Sequence, residues 1–308
     1  MKKFILRLLY FLLPIIVGWM GIEAMYRFVP NNYSVKYEGL RKNKDAEVFI
    51  LGNSHSFYGL YPELMSIKTY NASNISQPLI CDKLLFEKYI ANNTNAKAIV
   101  LTIDNFSFSE GIDDVELSWR RYFYRDCMYI DVPGTSHADP KGYSLALAPR
   151  FNITMESIKL YFKTGTLVQC NDRGAGRNEG VSPEFNNEKI AKIIVGKHLS
   201  ADGEMAPNIN ILEEIITTAA DKNIKVLIIT MPVTSYYSRF SDKNKMKKVS
   251  TICTQMEQKH PNVTYLNLFT DSRFNNNDFY DTDHLNESGA HKCTTITDST
   301  LNEILKRK

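Results

Sequence analysis

The sequence predicts an α/β fold, with a parallel sheet covered by helices on both faces and one N-terminal transmembrane helix. Short apolar runs alternate with segments of helical spacing along most of the chain. At the N-terminus, by contrast, a single long apolar segment follows two lysines. We therefore expect residues 1–28 to form a membrane anchor, 29–45 a polar linker and 46–308 the α/β domain.

Length, charge and cysteine content narrow the classes of function. A chain of 308 residues suits a single α/β domain with an insertion. The net charge of +3 at pH 7 argues against nucleic-acid binding, because such proteins usually carry a strongly basic face. The five cysteines are widely spaced, with no CxxC or Cys/His pattern typical of zinc. No structural metal is therefore predicted.

The N-terminal segment predicts an uncleaved anchor. Its apolar stretch covers residues 4–25 and contains Arg7 and Glu23 near its two ends. Both side chains can snorkel, which makes the stretch long enough to cross a bilayer. The lysines in front of it predict a single pass through the cytoplasmic membrane, with the domain on the periplasmic or extracellular side. A cleaved signal peptide is the alternative, although residues 21–24 make a poor cleavage site.

Four short, largely apolar runs predict strands of the sheet, because buried parallel strands are mostly apolar. They lie at 47–51, 98–103, 224–230 and 263–268, and a further short strand is predicted near 69–71. Helices are predicted at 79–90, 209–220, 245–259 and 287–306. Residues 106–207 break the alternation and are too many for a loop in a compact domain. We interpret them as an insertion with its own structure, or as a lid.

Polar residues follow the first predicted strand, at the edge of the sheet where open α/β proteins bind ligands. The motif there is Gly52-Asn53-Ser54-His55-Ser56. Glycine permits a sharp turn, and the serine after it can face the crevice at the start of a helix. Helix amides at that point would stabilise a developing oxyanion. The structural alternative is a serine that merely caps the helix.

The segment after the last strand supplies partners for such a serine. A serine nucleophile needs a base, and the base needs an orienting carboxylate. Asp281, three residues before His284, can bond Nδ1 of its ring and leave Nε2 for Ser54. We expect Asp281 to be buried against His284 and Asp283 to be more exposed, because an immediate neighbour usually projects away. His55 either lines the site or lies on an exposed helical turn.

The two motifs together resemble the SGNH hydrolase superfamily, also called GDSL-type esterases. The resemblance rests on Gly52-Asn53-Ser54-His55 and Asp281-Thr282-Asp283-His284-Leu285, and it covers residues 47–306 apart from the insertion. It implies a flavodoxin-like three-layer sandwich with about five parallel strands. It also implies that Ser54 is the nucleophile, His284 the base and Asp281 its partner. The layout is most similar to membrane-anchored members associated with acylation of bacterial surface polysaccharides.

The resemblance further implies an oxyanion hole. Its donors would be the backbone amide of Ser54, the backbone amide of Ser76 and the side chain of Asn105. Ser76 follows the second strand, where the family has a glycine, and Asn105 follows the third strand. Asn53 stands where many members have an aspartate.

The expected function is a serine esterase or O-acyltransferase that acts on acylated cell-surface or extracellular glycans through an acyl-enzyme on Ser54. Hydrolysis and transfer stay open. The mechanism needs no metal and no organic cofactor. Expected partners are the membrane, an acylated carbohydrate substrate and a membrane-bound acyl-transfer partner, with no nucleic acid. The alternative function is a non-catalytic, membrane-anchored glycan-binding or assembly protein on the same scaffold.

Overall fold

The computed structural model describes residues 1–109, 115–136, 138–199 and 204–306. The strands are β1 (Val48–Leu51), β2 (Thr69–Asn71), β3 (Ala98–Thr102), β4 (Lys225–Thr230) and β5 (Val263–Asn267). The helices are α1 (Lys2–Phe28), α2 (Asn32–Lys42), α3 (Ser54–Gly59), α4 (Leu79–Leu85), α5 (Val115–Met128), α6 (Phe151–Thr164), α7 (Glu188–Leu199), α8 (Met205–Asp221), α9 (Ser235–Phe240), α10 (Lys243–Lys259) and α11 (Glu287–Lys306).

The five strands form one parallel sheet in the order β2-β1-β3-β4-β5. This is the flavodoxin-like order, in which the chain reverses direction across the sheet between β1 and β3. All five predicted strands are confirmed, and so is the predicted α/β class with a parallel sheet of five strands. The site expected from the sequence follows β1, which places it at this switch point.

Side chains alternate between the two faces of the sheet, as the period of a strand requires. Val48, Ile50 and Val100 lie in one buried cluster with side chains of α11, among them Cys293 and Leu301. On the opposite side of the sheet, α8 contacts β4 and α4, and α10 contacts β5. Both faces are therefore covered, which explains why the central strands are mostly apolar and buried.

The chain divides into two compact units. The first unit contains Met1–Tyr37 and Val115–Gln169, and the second contains Glu38–Asp114 and Cys170–Lys308. The predicted insertion at 106–207 is therefore divided between the units, and the predicted linker at 29–45 contains α2.

Aromatic packing explains why part of the insertion groups with the N-terminal segment. The ring of Phe123 in α5 lies 5.3 Å from that of Tyr26 and 5.4 Å from that of Tyr33. Tyr33 also meets the ring of Tyr124 edge-on at 5.1 Å. Such rings bury large apolar surfaces, so they hold α5 against the segment that follows α1. Within α1 the buried residue is Tyr26, and the helix is long and apolar enough to cross a membrane.

A glycine is required where β1 turns into α3. Gly52 has a φ of +128°, a conformation that side chains with a Cβ rarely adopt. An added Cβ would also lie 2.6 Å from Cβ of Thr102 in the neighbouring strand β3. The turn therefore brings Ser54 close to the sheet only because position 52 has no side chain.

We expect Gly52→Ala to lower the free energy of unfolding by roughly 1–3 kcal/mol, because backbone strain and a steric clash add. The matched control is Gly196→Ala in α7, where an added Cβ meets open space. That change should be neutral or stabilising by up to about 1 kcal/mol. Unfolding of both variants in detergent, followed by circular dichroism, makes the measurement. Equal stability of the two variants would show that the turn does not need glycine.

Candidate active site

The structure brings Ser54, His284 and Asp281 into one hydrogen-bonded line. Nε2 of His284 lies 2.8 Å from Oγ of Ser54, and Nδ1 of the same ring lies 2.9 Å from Oδ2 of Asp281. Ser54 is the first residue of α3, directly after β1, and the other two residues lie in the loop between β5 and α11. A base placed in this way can remove the serine proton while the carboxylate holds its ring. The catalytic roles themselves stay predictions.

The loop that carries His284 is closed by hydrogen bonds to the side chain of Asp281. Oδ1 of Asp281 accepts hydrogen bonds from the backbone N–H groups of Asp283 at 3.1 Å and His284 at 2.7 Å. The backbone N–H of Tyr280 donates to the carbonyl of His284 at 2.9 Å. An aspartate that bonds the backbone of the residues after it is a common turn device. Here the same carboxylate both folds the turn and holds the imidazole ring.

The prediction about the exposure of the two carboxylates is wrong. Asp281 is 23% exposed, whereas Asp283 is only 4% exposed. Asp283 does not project away from the site, since its Oδ1 lies 3.7 Å from Nδ1 of His284 and its Oδ2 lies 3.3 Å from Nε2 of His55. The physical reason is this second histidine, which holds the Asp283 carboxylate inside.

His55 lies between two buried carboxylates. Its Nδ1 is 2.9 Å from Oδ2 of Asp104, although the N–H does not point along that line, so the contact is an ion pair and not a well-directed hydrogen bond. Its Nε2 faces Asp283. From the sequence alone, His55 is either exposed or lines the site, and Asp104 is not among the predicted site residues. The position of Asp104 directly after the strand next to β1 is the signal that could have revealed the pair.

These charges shift three pKa values. Burial opposes the charged form of His55, but Asp104 and Asp283 outweigh burial and raise its pKa to about 10. Burial would likewise raise the pKa of Asp283, yet His284 and His55 hold it well below its usual range. Burial also lowers the pKa of His284, but Asp283 and Asp281 together raise it above its ordinary value. Asp283 and Asp281 therefore make His284 more basic than an ordinary histidine.

Asn53 connects this charge cluster to α3. Its Oδ1 accepts from the backbone N–H of His55 at 2.9 Å and caps the helix. Its Nδ2 donates to Oδ2 of Asp104, also at 2.9 Å. An aspartate at position 53 could not donate this bond and would place a second carboxylate against Asp104. Asparagine at position 53 therefore suits the neighbouring carboxylate of Asp104 better than an aspartate would.

The proposed oxyanion donors have free hydrogens. Among the residues that the structure describes, the backbone N–H groups of Ser54 and Ser76 donate a hydrogen bond to no acceptor. Ser76 adopts a φ of +51°, the left-handed region that suits the glycine found there in the resembled family. The carbonyl of Gly52 accepts from the N–H of Asn74 at 3.1 Å, which ties the loop of Ser76 to the turn before Ser54.

Asn105 is oriented by two further side chains. It is buried, and its Oδ1 accepts a hydrogen bond from the hydroxyl of Tyr237 at 3.2 Å. Nδ1 of His198 lies 2.6 Å from the same hydroxyl, and burial lowers the pKa of His198 to about 4. The neutral ring can therefore donate to Tyr237, which donates in turn to Asn105. Within the described chain the Nδ2 of Asn105 has no partner, so this amide keeps a donor for a ligand.

One group of side chains has the composition of a metal site. His55, Asp283 and His284 each offer a ligand atom, and these atoms lie within 4.8 Å of one another. A histidine binds a metal only through a deprotonated nitrogen. Because the pKa of His55 is about 10, a metal would have to displace a firmly held proton and break the ion pairs to both carboxylates. The residues fit the ionic network better than they fit a metal ion.

Two solved structures are similar to this chain. A candidate acylhydrolase from Bacteroides fragilis shares 9% identity and a TM-score of 0.40, over 84% of this chain and 88% of that one. A GDSL-like lipase from Bacteroides thetaiotaomicron also shares 9% identity and a TM-score of 0.40, over 89% of this chain and 98% of that one. No protein-family model and no curated protein matches the sequence. Likeness at this level does not bear on activity.

The histidines of the site should titrate in three different ways. NMR of the imidazole Hε1 protons should show His55 charged up to about pH 9, His284 losing its proton above pH 6.5, and His198 neutral above about pH 5. Each signal is assigned by the loss of one resonance in a His→Gln variant. A midpoint for His55 near 6.5 would contradict the ion pairs.

The raised pKa of His55 also makes the stability of the fold depend on pH. Because the pKa of His55 is raised in the folded state, its ion pairs contribute stability that is fully present below pH 6.5 and is lost as the pH rises through about 10.

Proposed function

We propose that this protein is a serine esterase or O-acyltransferase that forms an acyl-enzyme on Ser54. The observation that carries the proposal is the line of two hydrogen bonds from Ser54 through His284 to Asp281. The order of nucleophile, base and carboxylate in this line is the one that general-base activation of a serine requires.

The first half of the reaction acylates the serine. Nε2 of His284 takes the proton of Ser54 as Oγ attacks the acyl carbonyl, and the carbonyl oxygen becomes an oxyanion. The N–H groups of Ser54 and Ser76 and the Nδ2 of Asn105 are the donors proposed to stabilise that charge. Collapse of the intermediate breaks the ester bond, and His284 returns its proton to the departing alcohol.

The second half releases the acyl group. A water molecule or a sugar hydroxyl gives a proton to His284 and attacks the acyl carbonyl of the acyl-enzyme. Collapse then breaks the bond to Oγ, and Ser54 recovers its proton from His284. Water gives a free acid, and a hydroxyl gives a new ester. Hydrolysis and transfer therefore share all steps except the choice of acceptor.

The proposed location and partners follow from the N-terminal helix. Helix α1 is proposed as a single-pass anchor in the cytoplasmic membrane, with the site on the periplasmic or extracellular side. The substrate proposed for such a position is an acylated cell-surface or extracellular glycan. A membrane-bound acyl-transfer partner would supply the acyl group if the reaction is a transfer. The length and apolar character of α1, and the resemblance of the two motifs, support these proposals.

A fluorophosphonate probe tests the proposed nucleophile. We expect covalent labelling of the full-length protein at Ser54, because His284 can take the serine proton as Oγ attacks phosphorus. Labelling and hydrolysis of a small acetyl ester should both be lost in Ser54→Ala. The control is Ser238→Ala, whose hydroxyl bonds only the carbonyl of Ser235 in the described chain and should leave both signals unchanged. An unlabelled, folded protein would instead favour the non-catalytic glycan-binding function.

The pH dependence of kcat/KM tests the roles of the two carboxylates. The base must be neutral, so activity is lost as the pH falls through the pKa of His284, and the acid limb should be centred above pH 6.5. In Asp283→Asn one carboxylate beside the ring is gone, so the limb should move to lower pH while activity persists.

Asp281→Asn should behave differently from Asp283→Asn. The amide removes the acceptor for Nδ1–H of His284 and favours the wrong ring tautomer, a change that costs about 10⁴-fold in a well-studied serine protease. We therefore expect a loss of turnover at every pH. Circular dichroism of each variant checks the fold, since Asp283 is buried. A collapse of turnover only in Asp283→Asn would transfer the orienting role to Asp283.

A further inference from the structure

Helix α6 presents three different faces. Thr154 on its inner face is buried and its Oγ1 accepts from the hydroxyl of Tyr26 at 3.3 Å. A second face is polar and carries Asn152, Glu156 and Lys159, all exposed. The third face is apolar. We call it the α6 stripe, and it consists of Phe151, Met155, Ile158 and Phe162.

The two phenylalanines of the α6 stripe are exposed in the described chain, and Met155 and Ile158 between them are half-buried. Its members are four, three and four residues apart, so they share one side of the helix. Phe151 is 79% exposed and Phe162 is 83% exposed. Two phenylalanines on one continuous helix side, separated from the polar face, form the kind of exposed apolar surface that marks an interaction site.

The segment just before α6 is bonded to the last third of α1. The indole Nε1 of Trp19 donates to Oγ of Ser144 at 3.0 Å. The carboxylate of Glu23 accepts from that same hydroxyl at 2.7 Å and from the backbone N–H of Ala146 at 2.9 Å. The segment at 144–146 therefore lies against α1 between Trp19 and Glu23, a rise of about 6 Å along the helix.

These contacts fix the depth of α6 relative to a bilayer crossed by α1. A hydrocarbon core about 30 Å thick takes about 20 helical residues, so a span that begins near Phe4 ends near Glu23. Tyr26 lies three residues further, about 4–5 Å beyond that boundary. Thr154 on α6 bonds Tyr26, so α6 begins at the level of the lipid headgroups. Aromatic and amphipathic groups are favoured at that level.

Exposed apolar groups continue from the α6 stripe toward α1. Leu147 is 46% exposed and Tyr143 is 71% exposed, and both flank the segment that is bonded to Trp19 and Glu23. Basic residues of α6 lie beside the stripe, at Lys159 and Lys163. An apolar face bordered by lysines is the pattern of a helix that lies in the plane of an anionic membrane surface.

We propose that the α6 stripe is a second membrane contact, which lies in the headgroup region of the leaflet where α1 emerges. This inference rests on the proposed anchor, because the depth is set by α1. It is independent of the chemistry at Ser54. The occupant is the lipid bilayer, since the stripe is continuous with the lipid-facing surface proposed for α1.

Brominated lipids test the depth of the stripe. The full-length protein is reconstituted in vesicles of phosphatidylcholine and phosphatidylglycerol whose acyl chains carry bromine either at carbons 6 and 7 or at carbons 11 and 12. Phe151→Trp places a reporter in the stripe. Asn152→Trp is the matched control, because the neighbouring residue lies at the same height on the polar face and carries no charge. Phe162→Trp replaces the first variant if that one does not fold.

We expect the added emission of Phe151→Trp to be quenched at least twofold more than that of Asn152→Trp, and more strongly by the shallow bromines than by the deep ones. Equal quenching of the two variants would overturn the proposal. An unquenched but blue-shifted emission that grows with the protein-to-lipid ratio would also overturn it, and would indicate a second copy of the chain on the stripe. Trp19 reports the anchor in the parent protein once the second tryptophan is removed by Trp119→Phe, and all variants are made in that background. If Trp19 is not quenched, the anchor and the stripe both fail, whereas labelling of Ser54 is unaffected.

Discussion

Two buried carboxylates share one imidazolium, and the geometry of the site depends on this interaction. Asp104 follows β3, His55 follows β1, and Asp283 lies in the loop before α11. A buried charge is stable only when it is paired, and an isolated carboxylate here would cost several kcal/mol. The imidazolium of His55, with one ring nitrogen beside each carboxylate, therefore joins three separate parts of the chain at the carboxyl edge of the sheet. Because Asp283 is next to His284 in sequence, fixing Asp283 also fixes the histidine that meets Ser54.

The charged groups around His55 also determine the pKa of His284. Asp283 and Asp281 outweigh both burial and the positive charge of His55, so the pKa of His284 is raised. A positive charge that develops on His284 is stabilised by these two carboxylates. The resting ring holds its proton more firmly for the same reason. In the proposed mechanism, a stronger base therefore comes together with a loss of activity in acid.

Much of this could be predicted from sequence, for physical reasons that differ between elements. The central strands were predictable because parallel strands covered on both faces read as short apolar runs, as Ala98 to Leu101 do in β3. Ser54, Asp281 and His284 were recognisable because short spacings within two segments carry them. The pairing of His55 with Asp283 was not, because it depends on where distant loops meet in space. The rule that adjacent side chains project apart gave the wrong exposure for Asp283. Its carboxylate is buried because it pairs with the charged ring of His55.

Helix α1 shows the same limit of local reasoning, and the structure supplies the missing partner. From sequence alone, Glu23 is a charge near the end of an apolar helix that is tolerated because it snorkels. In the fold its carboxylate is bonded to Ser144, to the backbone of Ala146 and to Arg27. These donors satisfy the carboxylate within the protein. It marks a fixed level on α1, because the segment that supplies the donors is itself held by the aromatic packing of α5 and by the bond from Tyr26 to Thr154. The charge that interrupts the apolar run is therefore the residue that fixes the position of this segment along α1.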